Sequence, residues 1–236
     1  MKYLLLAFIG LIVSCQTSNK EPYKVEYKGA LKGIMGNDIS AKIDLSEFKN
    51  TPNFYALGAV ENLKGEIQIF NSQPFITSIE KNSLKFDATF TKKASLLVYA
   101  SVEEWESILI PNNIVSYEHL ENFIEKIADE KGINTDKPFP FLLEGLISSF
   151  DWHVINWRDG DSIHTHKKHK STGMHGTINN RAVEMLGFYS NAHHAIFTHQ
   201  NTKMHIHVKT AGNGVAGHVD GLFLENGMIL KLPKIK

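Results

Sequence analysis

In the stretch MHIHVKTAGNGVAGHVD, residues 204–220, His205 and His207 stand two apart and His218 follows a glycine-broken gap. Residues two apart in a strand point to the same face, about 7 Å apart along the chain, so both imidazoles can turn to one ion while Ile206 faces a core. Gly212, Gly214 and Gly217 permit a hairpin that lays His218 beside the pair. Three imidazoles around zinc leave a fourth position open for water or substrate, which is the catalytic arrangement of that metal. Neutral imidazole also suits nickel, copper or iron, so the spacing argues for a divalent metal more firmly than for Zn2+. Taken alone, it fits surface histidines on a half-exposed strand as well.

The elements that must position these residues are mostly short strands. From Lys24 onward, β-like runs alternate with turns through IDLSEFKN, NFYALGAVENLKGEIQIF, SLKFDATF and ASLLVYASV. The one helical pattern is SYEHLENFIEKIADEKG at 116–132: Ser116 can cap it, Leu120, Phe123, Ile124 and Ile127 form an apolar stripe, and Gly132 closes it. Two prolines within 134–140 mark a boundary. Beyond them PFLLEGLI, DWHVINW, VEMLGFYS, KMHIHVKT, GHVDGLFL and MILKLP read as further strands. The expected fold class is α+β, with a mixed sheet in an N-terminal half (24–132) and a mainly antiparallel sheet in a C-terminal half (133–236). One long helix accompanies them, and the metal site lies in the cleft between the halves.

Composition shifts in the second half, where eleven of the twelve histidines fall between His153 and His218. HTHKKHK at 164–170 reads first as a solvated loop and second as a metal-capturing tract. His193, His194 and His199 can supply hydrogen bonds to ligands or contacts to a substrate. Trp152 and Trp157 read as core or pocket wall.

A formal net charge of zero gives no footprint for nucleic acid. The N-terminus, MKYLLLAFIGLIVSC, has the pattern of a lipoprotein signal peptide (1–14) that ends at a lipid-modified Cys15, followed by a polar tether (15–23). Its apolar run is too short to span a bilayer. Cys15 is the only cysteine, so no internal disulfide can form. The expectation is an exported protein held to a bacterial membrane through its N-terminal lipid alone, with the globular part in the periplasm or extracellular space.

The stretch LGFYSNAHHAIFTHQNTKMHIHVKTAGNGVAGHVDG resembles the C-terminal half of bacterial acetolactate decarboxylases, in which a "GF..P" strand leads to "HlHF" and then "GGHv.D". YALGAVENLKGEIQIFNSQPF is similar to that family's "GLGTF..LdGEm...dg..y". The resemblance covers about residues 25–233 and suggests a divergent lipoprotein member. It implies Zn2+ on His205, His207 and His218, with Glu66 as the catalytic carboxyl group. It also implies decarboxylation of acetolactate, or a related 2-hydroxy-3-keto acid, to acetoin. Loss of carbon dioxide leaves an enediolate, whose charge a Lewis-acid metal can hold and which a protonated carboxyl group can quench.

The chain departs from the pattern in three places. Ala59 replaces a threonine, the family's substrate-binding arginine falls at His153 with Arg158 as the nearest guanidinium, and the family's C-terminal glutamate has no counterpart before Lys236. His153 and Arg158 are therefore the candidate substrate contacts. Two alternatives accompany this expectation: a zinc hydrolase on the same scaffold, and a non-catalytic metal-binding lipoprotein.

Overall fold

The computed structural model describes residues 22–235. The expected signal peptide, Cys15 and tether residues 15–21 lie outside the described residues. Among the described residues, no helix is long and apolar enough to cross a membrane.

The first sheet is built from β1 (Glu26–Lys28), β2 (Ile43–Asp44), β3 (Phe54–Val60), β4 (Glu66–Phe70), β5 (Gln73–Glu80), β6 (Ser83–Asp87) and β7 (Lys93–Ser101). Its strand order is β1-β7-β3-β4-β5-β6, with β2 also on β7. The sequence predicts a mixed sheet here, yet every pairing is antiparallel. The connections explain this. Asn71-Ser72 and Lys81-Asn82 each place two residues at positive φ, the tight turn that matches the strand twist and joins only antiparallel neighbours.

The second sheet comprises β8 (Trp105–Leu109), β9 (Phe139–Val154), β10 (Met174–Tyr189), β11 (Met204–Thr210), β12 (Ala216–Leu224) and β13 (Ile229–Pro233). Its order is β10-β11-β12-β9-β13-β8, and β10 pairs with β9 as well, so β9, β10, β11 and β12 close on themselves. These pairings too are antiparallel. PFLLEGLI and DWHVINW, separate runs in the sequence, form the single strand β9. Gly145, at φ 141°, carries it past Met228, which a Cβ there would approach to 3.1 Å. The sheets do not divide at residue 133: β8 precedes that point and still joins the second sheet.

Among the described residues, three α-helices accompany the sheets, α1 (Leu31–Met35), α2 (Tyr117–Glu130) and α3 (His166–Ser171). The long helix α2 starts where its cap was expected, with Ser116 Oγ accepting from the His119 amide at 3.2 Å. Its apolar stripe buries Leu120, Ile124 and Ala128 in the core of the second sheet.

Strand alternation decides which side chains meet between the sheets. On β3 and β4, Phe54, Ala56, Ile67 and Ile69 pack on the far side of the first sheet. Tyr55, Leu57 and Phe70 face the second sheet and meet Leu142, Leu186, Phe188 and Phe197 there. On β11, Met204, Ile206 and Val208 point to the core shared with α2. His205 and His207 therefore share the opposite side, opposed to Phe188 and Leu186 across the ladder.

Gly187 lies between those two positions on β10, directly beneath the Phe141 ring, so an added Cβ would come within 2.1 Å of the ring. Gly187→Ala is expected to destabilise the fold by about 1–3 kcal/mol through overpacking. A lowered urea midpoint with an unchanged m-value would show it, and an unchanged midpoint would refute it.

Candidate metal centre

The register brings four titratable side chains together. His207 on β11 opposes His218 on β12, and His218 opposes His153 on β9. Directly opposed residues of an antiparallel ladder share a face, so these three imidazoles form a row across three strands. His205 joins from two residues along β11. Ring centroids are 5.0 Å apart for His205–His207, 5.0 Å for His205–His218 and 5.6 Å for His207–His218.

Glu66 reaches this row from the first sheet. The β3–β4 turn places Asn62 and Leu63 at positive φ. Gly65 then takes φ 144°, where a Cβ would lie 2.2 Å from the Thr77 carbonyl, so glycine is required to start β4 at Glu66. The turn is stitched to the chain beyond β9: the Trp157 amide donates to Leu63 O at 3.0 Å, and Lys64 Nζ donates to Trp157 O at 2.6 Å. This places the Ile155 amide over Glu66, donating to Oε1 at 3.2 Å. Glu66 Oε1 lies 3.8 Å from His153 Nε2, and Oε2 lies 3.8 Å from His207 Nε2.

Burial dominates the electrostatics. It pushes the Glu66 carboxyl up to about 7, against the opposing pull of His153 and the Ile155 amide. His205 and His207 are held well below the usual imidazole range, first by burial and then by neighbouring histidines, and burial brings His218 down to about 3. All three are therefore neutral, the form that binds metal. His153 behaves oppositely. Burial disfavours its cation, but the Asp220 hydrogen bond and the Glu66 charge together hold its pKa above the ordinary value. Asp220 is partly buried, which raises its pKa, yet the His153 hydrogen bond and the His218 ring 3.3 Å away hold its carboxyl well below the usual carboxylate range.

The neighbours also settle which nitrogens are free. Gln68 Nε2 donates to the Phe75 carbonyl and to Thr77 Oγ1, which turns its Oε1 toward His207 Nδ1 at 3.1 Å. His207 thus donates from Nδ1 and offers the lone pair of Nε2. That Nε2 lies 3.2 Å from His205 Nε2, close to the separation of about 3.3 Å that two zinc-bound nitrogens have at a tetrahedral angle.

His153, His218 and Asp220 form a second grouping, with one ligand atom each within 4.8 Å of one another, and can also hold a metal ion. Here His153 Nδ1 is already bonded to Asp220 Oδ1 at 2.9 Å, and that bond with the Glu66 charge holds the ring's pKa above its ordinary value. Among the described residues, the buried side-chain nitrogens without a hydrogen-bond partner are His205 Nδ1 and His218 Nδ1, both in this cluster. Unsatisfied buried polar atoms gathered in one place mark where an ion fits.

The other histidines take different parts. HTHKKHK is not the solvated loop its composition suggests: Thr165 caps α3, and His164 is buried against Trp157, with the rings stacked at 4.2 Å. His164 Nε2 donates to Asn37 Oδ1 at 3.0 Å, and its Nδ1 accepts from His169 Nε2 at 2.9 Å, so these two rings hold the segment down. Lys170 Nζ on the same helix lies 3.1 Å from Asp220 Oδ2. His193 is tied to Ser190 Oγ at 2.8 Å. Arg158 is exposed in the loop after Trp157 and does not join the cluster.

Two adjacent cavities border the site and share lining residues. A small one of about 60 Å³ is bounded by Glu66, His153, His205 and His218, with Ala59 in its apolar wall. A larger one of about 860 Å³ lies beside it over Tyr117 and Met204, and both are lined by His166, His169, His199 and His218. Gln68 and Asp220 have no counterpart among the residues singled out from the sequence, and Lys170 figures there only as part of the HTHKKHK tract. The first two sit two residues from Glu66 and His218 in strands, so period-two reasoning can find them; Lys170 arrives only through tertiary folding.

A two-sheet α+β architecture with a buried histidine and carboxylate centre is what fold and site define. Solved structures with this fold include an acetolactate decarboxylase from Bacillus subtilis subspecies spizizenii (13% identity, 89% of this chain and 86% of that one, TM-score 0.69) and one from Bacillus subtilis (13%, 89% and 85%, 0.68). A Staphylococcus aureus protein of unknown function, described as similar to alpha-acetolactate decarboxylase, is also similar (10%, 88% and 84%, 0.65). No family model and no curated protein matches the sequence.

Gln68→Leu removes the acceptor that orients His207 while keeping the side chain's bulk. It is expected to weaken metal affinity about 10–100-fold, read by chelator competition; parent-like affinity would show that Gln68 does not set the His207 tautomer.

Proposed function

We propose that this chain is a metal-dependent carbon–carbon lyase of the acetolactate decarboxylase type. Its metal, most simply Zn2+, is held by His205, His207 and His218, and it acts on a small 2-hydroxy-3-keto acid. The observation that carries this reading is the burial of Glu66 between His153 and His207, on the same cavity as the neutral imidazoles of His205 and His218, within a fold shared with acetolactate decarboxylases.

The choice of ligands follows from charge. His205 and His207 are neutral with their Nε2 atoms 3.2 Å apart, whereas His153 is bound to Asp220, which together with Glu66 raises its pKa. When bound, the zinc supplies Lewis-acid polarisation of the substrate's oxygens as carbon dioxide leaves.

The remaining work falls to the chain. Its narrow cavity excludes water from the reacting carbon. The Ile155 amide holds Glu66 Oε1 in place, and the protonated Glu66 delivers a proton to the enediolate from one side only, which sets the configuration of the product. His153, fixed by Asp220, restores that proton from its position 3.8 Å from Glu66 Oε1. The reading includes export and lipid attachment at Cys15, supported by the N-terminal sequence alone.

Metal content and release of carbon dioxide and acetoin from acetolactate test the reaction on the detergent-solubilised full chain. The parent is expected to carry about one zinc and to turn over. Glu66→Gln should keep the metal and lose at least about 100-fold in rate, and His207→Ala should lose both. An active, metal-replete His207→Ala would overturn the ligand assignment, and a metal-replete parent that releases no carbon dioxide would overturn the decarboxylase. Radiolabelled palmitate is expected to enter the parent and not Cys15→Ser; equal labelling would overturn the anchor.

A further inference from the structure

A 2-hydroxy-3-keto acid brings a carboxylate into the site, and that charge needs donors. The chain has two arginines, Arg158 and Arg181, and both are exposed. The donors near the cavities that can carry positive charge are therefore imidazoles and lysines, most of which are already committed; Gln200, Asn201 and Thr202 line only the larger cavity. His169 Nε2 is bonded to His164 Nδ1 at 2.9 Å, Lys168 is paired with Asp161 at 2.6 Å, and Lys170 with Asp220 at 3.1 Å. His153 is bonded to Asp220. Lys32 borders only the larger cavity.

His166 on α3 and His199 in the segment ahead of β11 remain. Their rings stack at 4.7 Å with an interplanar angle of 26°. Both line the small cavity and the large one, so they stand at the throat between the two. Among the described residues, neither ring makes a hydrogen bond to the protein. The His199 ring lies 5.7 Å from His218 and 6.5 Å from His205, one small molecule away from the metal ligands.

We infer that His166 and His199 together clasp the substrate carboxylate at this throat, in the role for which the sequence offers no usable arginine. The inference rests on the decarboxylase reading for the substrate's chemical class. A guanidinium grips a carboxylate with two donors on one rigid plane, whereas a neutral imidazole offers one N–H, so two stacked rings are needed to replace it. The larger cavity beyond the throat then takes the substrate's remaining substituent. Its apolar lining at Leu31, Met35, Tyr117 and Met204 suits substituents bulkier than methyl.

The test separates acid from neutral ligand and does not need turnover. The zinc-loaded full chain in detergent is titrated calorimetrically with 2-hydroxy-2-methylpropanoate, an unreactive hydroxy acid, and with acetoin, which has no carboxylate. His166→Asn and His199→Asn are each expected to weaken the acid about tenfold or more, with acetoin affinity and metal content unchanged. His166→Arg, at an exposed position, is expected to restore the acid. Parent-like acid affinity in both Asn variants, an equal loss of acid and acetoin, or a parent that binds no acid would overturn the clasp. A parent that binds the acid through these residues but releases no carbon dioxide from acetolactate would keep the clasp and overturn the reaction.

Discussion

The structure depends on one ladder register, the alignment of His207, His218 and His153 across β11, β12 and β9. Side chains alternate with a period of two, so a slip of one residue in β12 would send His218 to the opposite face and leave His207 without its neighbour. Closure of β9, β10, β11 and β12 on themselves removes the freedom to slip, because each strand is read by two partners. The same register sends Ile206 and Val208 into the core against α2, so the hydrophobic pattern and the histidine pattern enforce each other.

Burying such a cluster is costly, and the surrounding side chains show how the cost is met. Glu66 is moved from 4.5 to about 7, so its ionised form in the bare chain is disfavoured by about 3 kcal/mol relative to water. Gln68 and Asp220 answer this differently. Gln68 is a neutral acceptor that leaves His207 uncharged, while Asp220 is an anion that draws a charge onto His153. Two imidazoles on one face thus receive opposite characters, one suited to a metal and one suited to proton transfer. The Lys170 ammonium beside Asp220 ties α3 to this arrangement, so the segment covering the site is coupled to the charge beneath it.

Histidine abundance by itself carries little information in this chain. His164 and His169 serve as packing groups around Trp157, and His193 braces a turn through Ser190. His205, His207 and His218 instead face one another and the Glu66 carboxyl group, with Gln68 orienting His207. Hydrogen-bond partners and burial separate these roles, and residue type does not.

Strand alternation, the Ser116 cap with its apolar stripe, and the His-x-His pair with His218 were legible in the sequence because each is a local or periodic signal. Glu66 was legible through resemblance, and Gly65 before it has a conformational reason in its φ of 144°. Only the tertiary structure decided the rest. The recruitment of β8 into the second sheet, the fusion of two runs into β9, the pairing of Asp220 with His153, and the folding of α3 over the cavity all depend on contacts between residues distant in the chain. Arg158, next in line for the arginine's place by sequence, points to solvent, while His166 and His199, 33 residues apart, stack at the throat of the site. Spacing along the chain fixes the direction of a side chain within its strand; what that side chain meets depends on which strands close upon it.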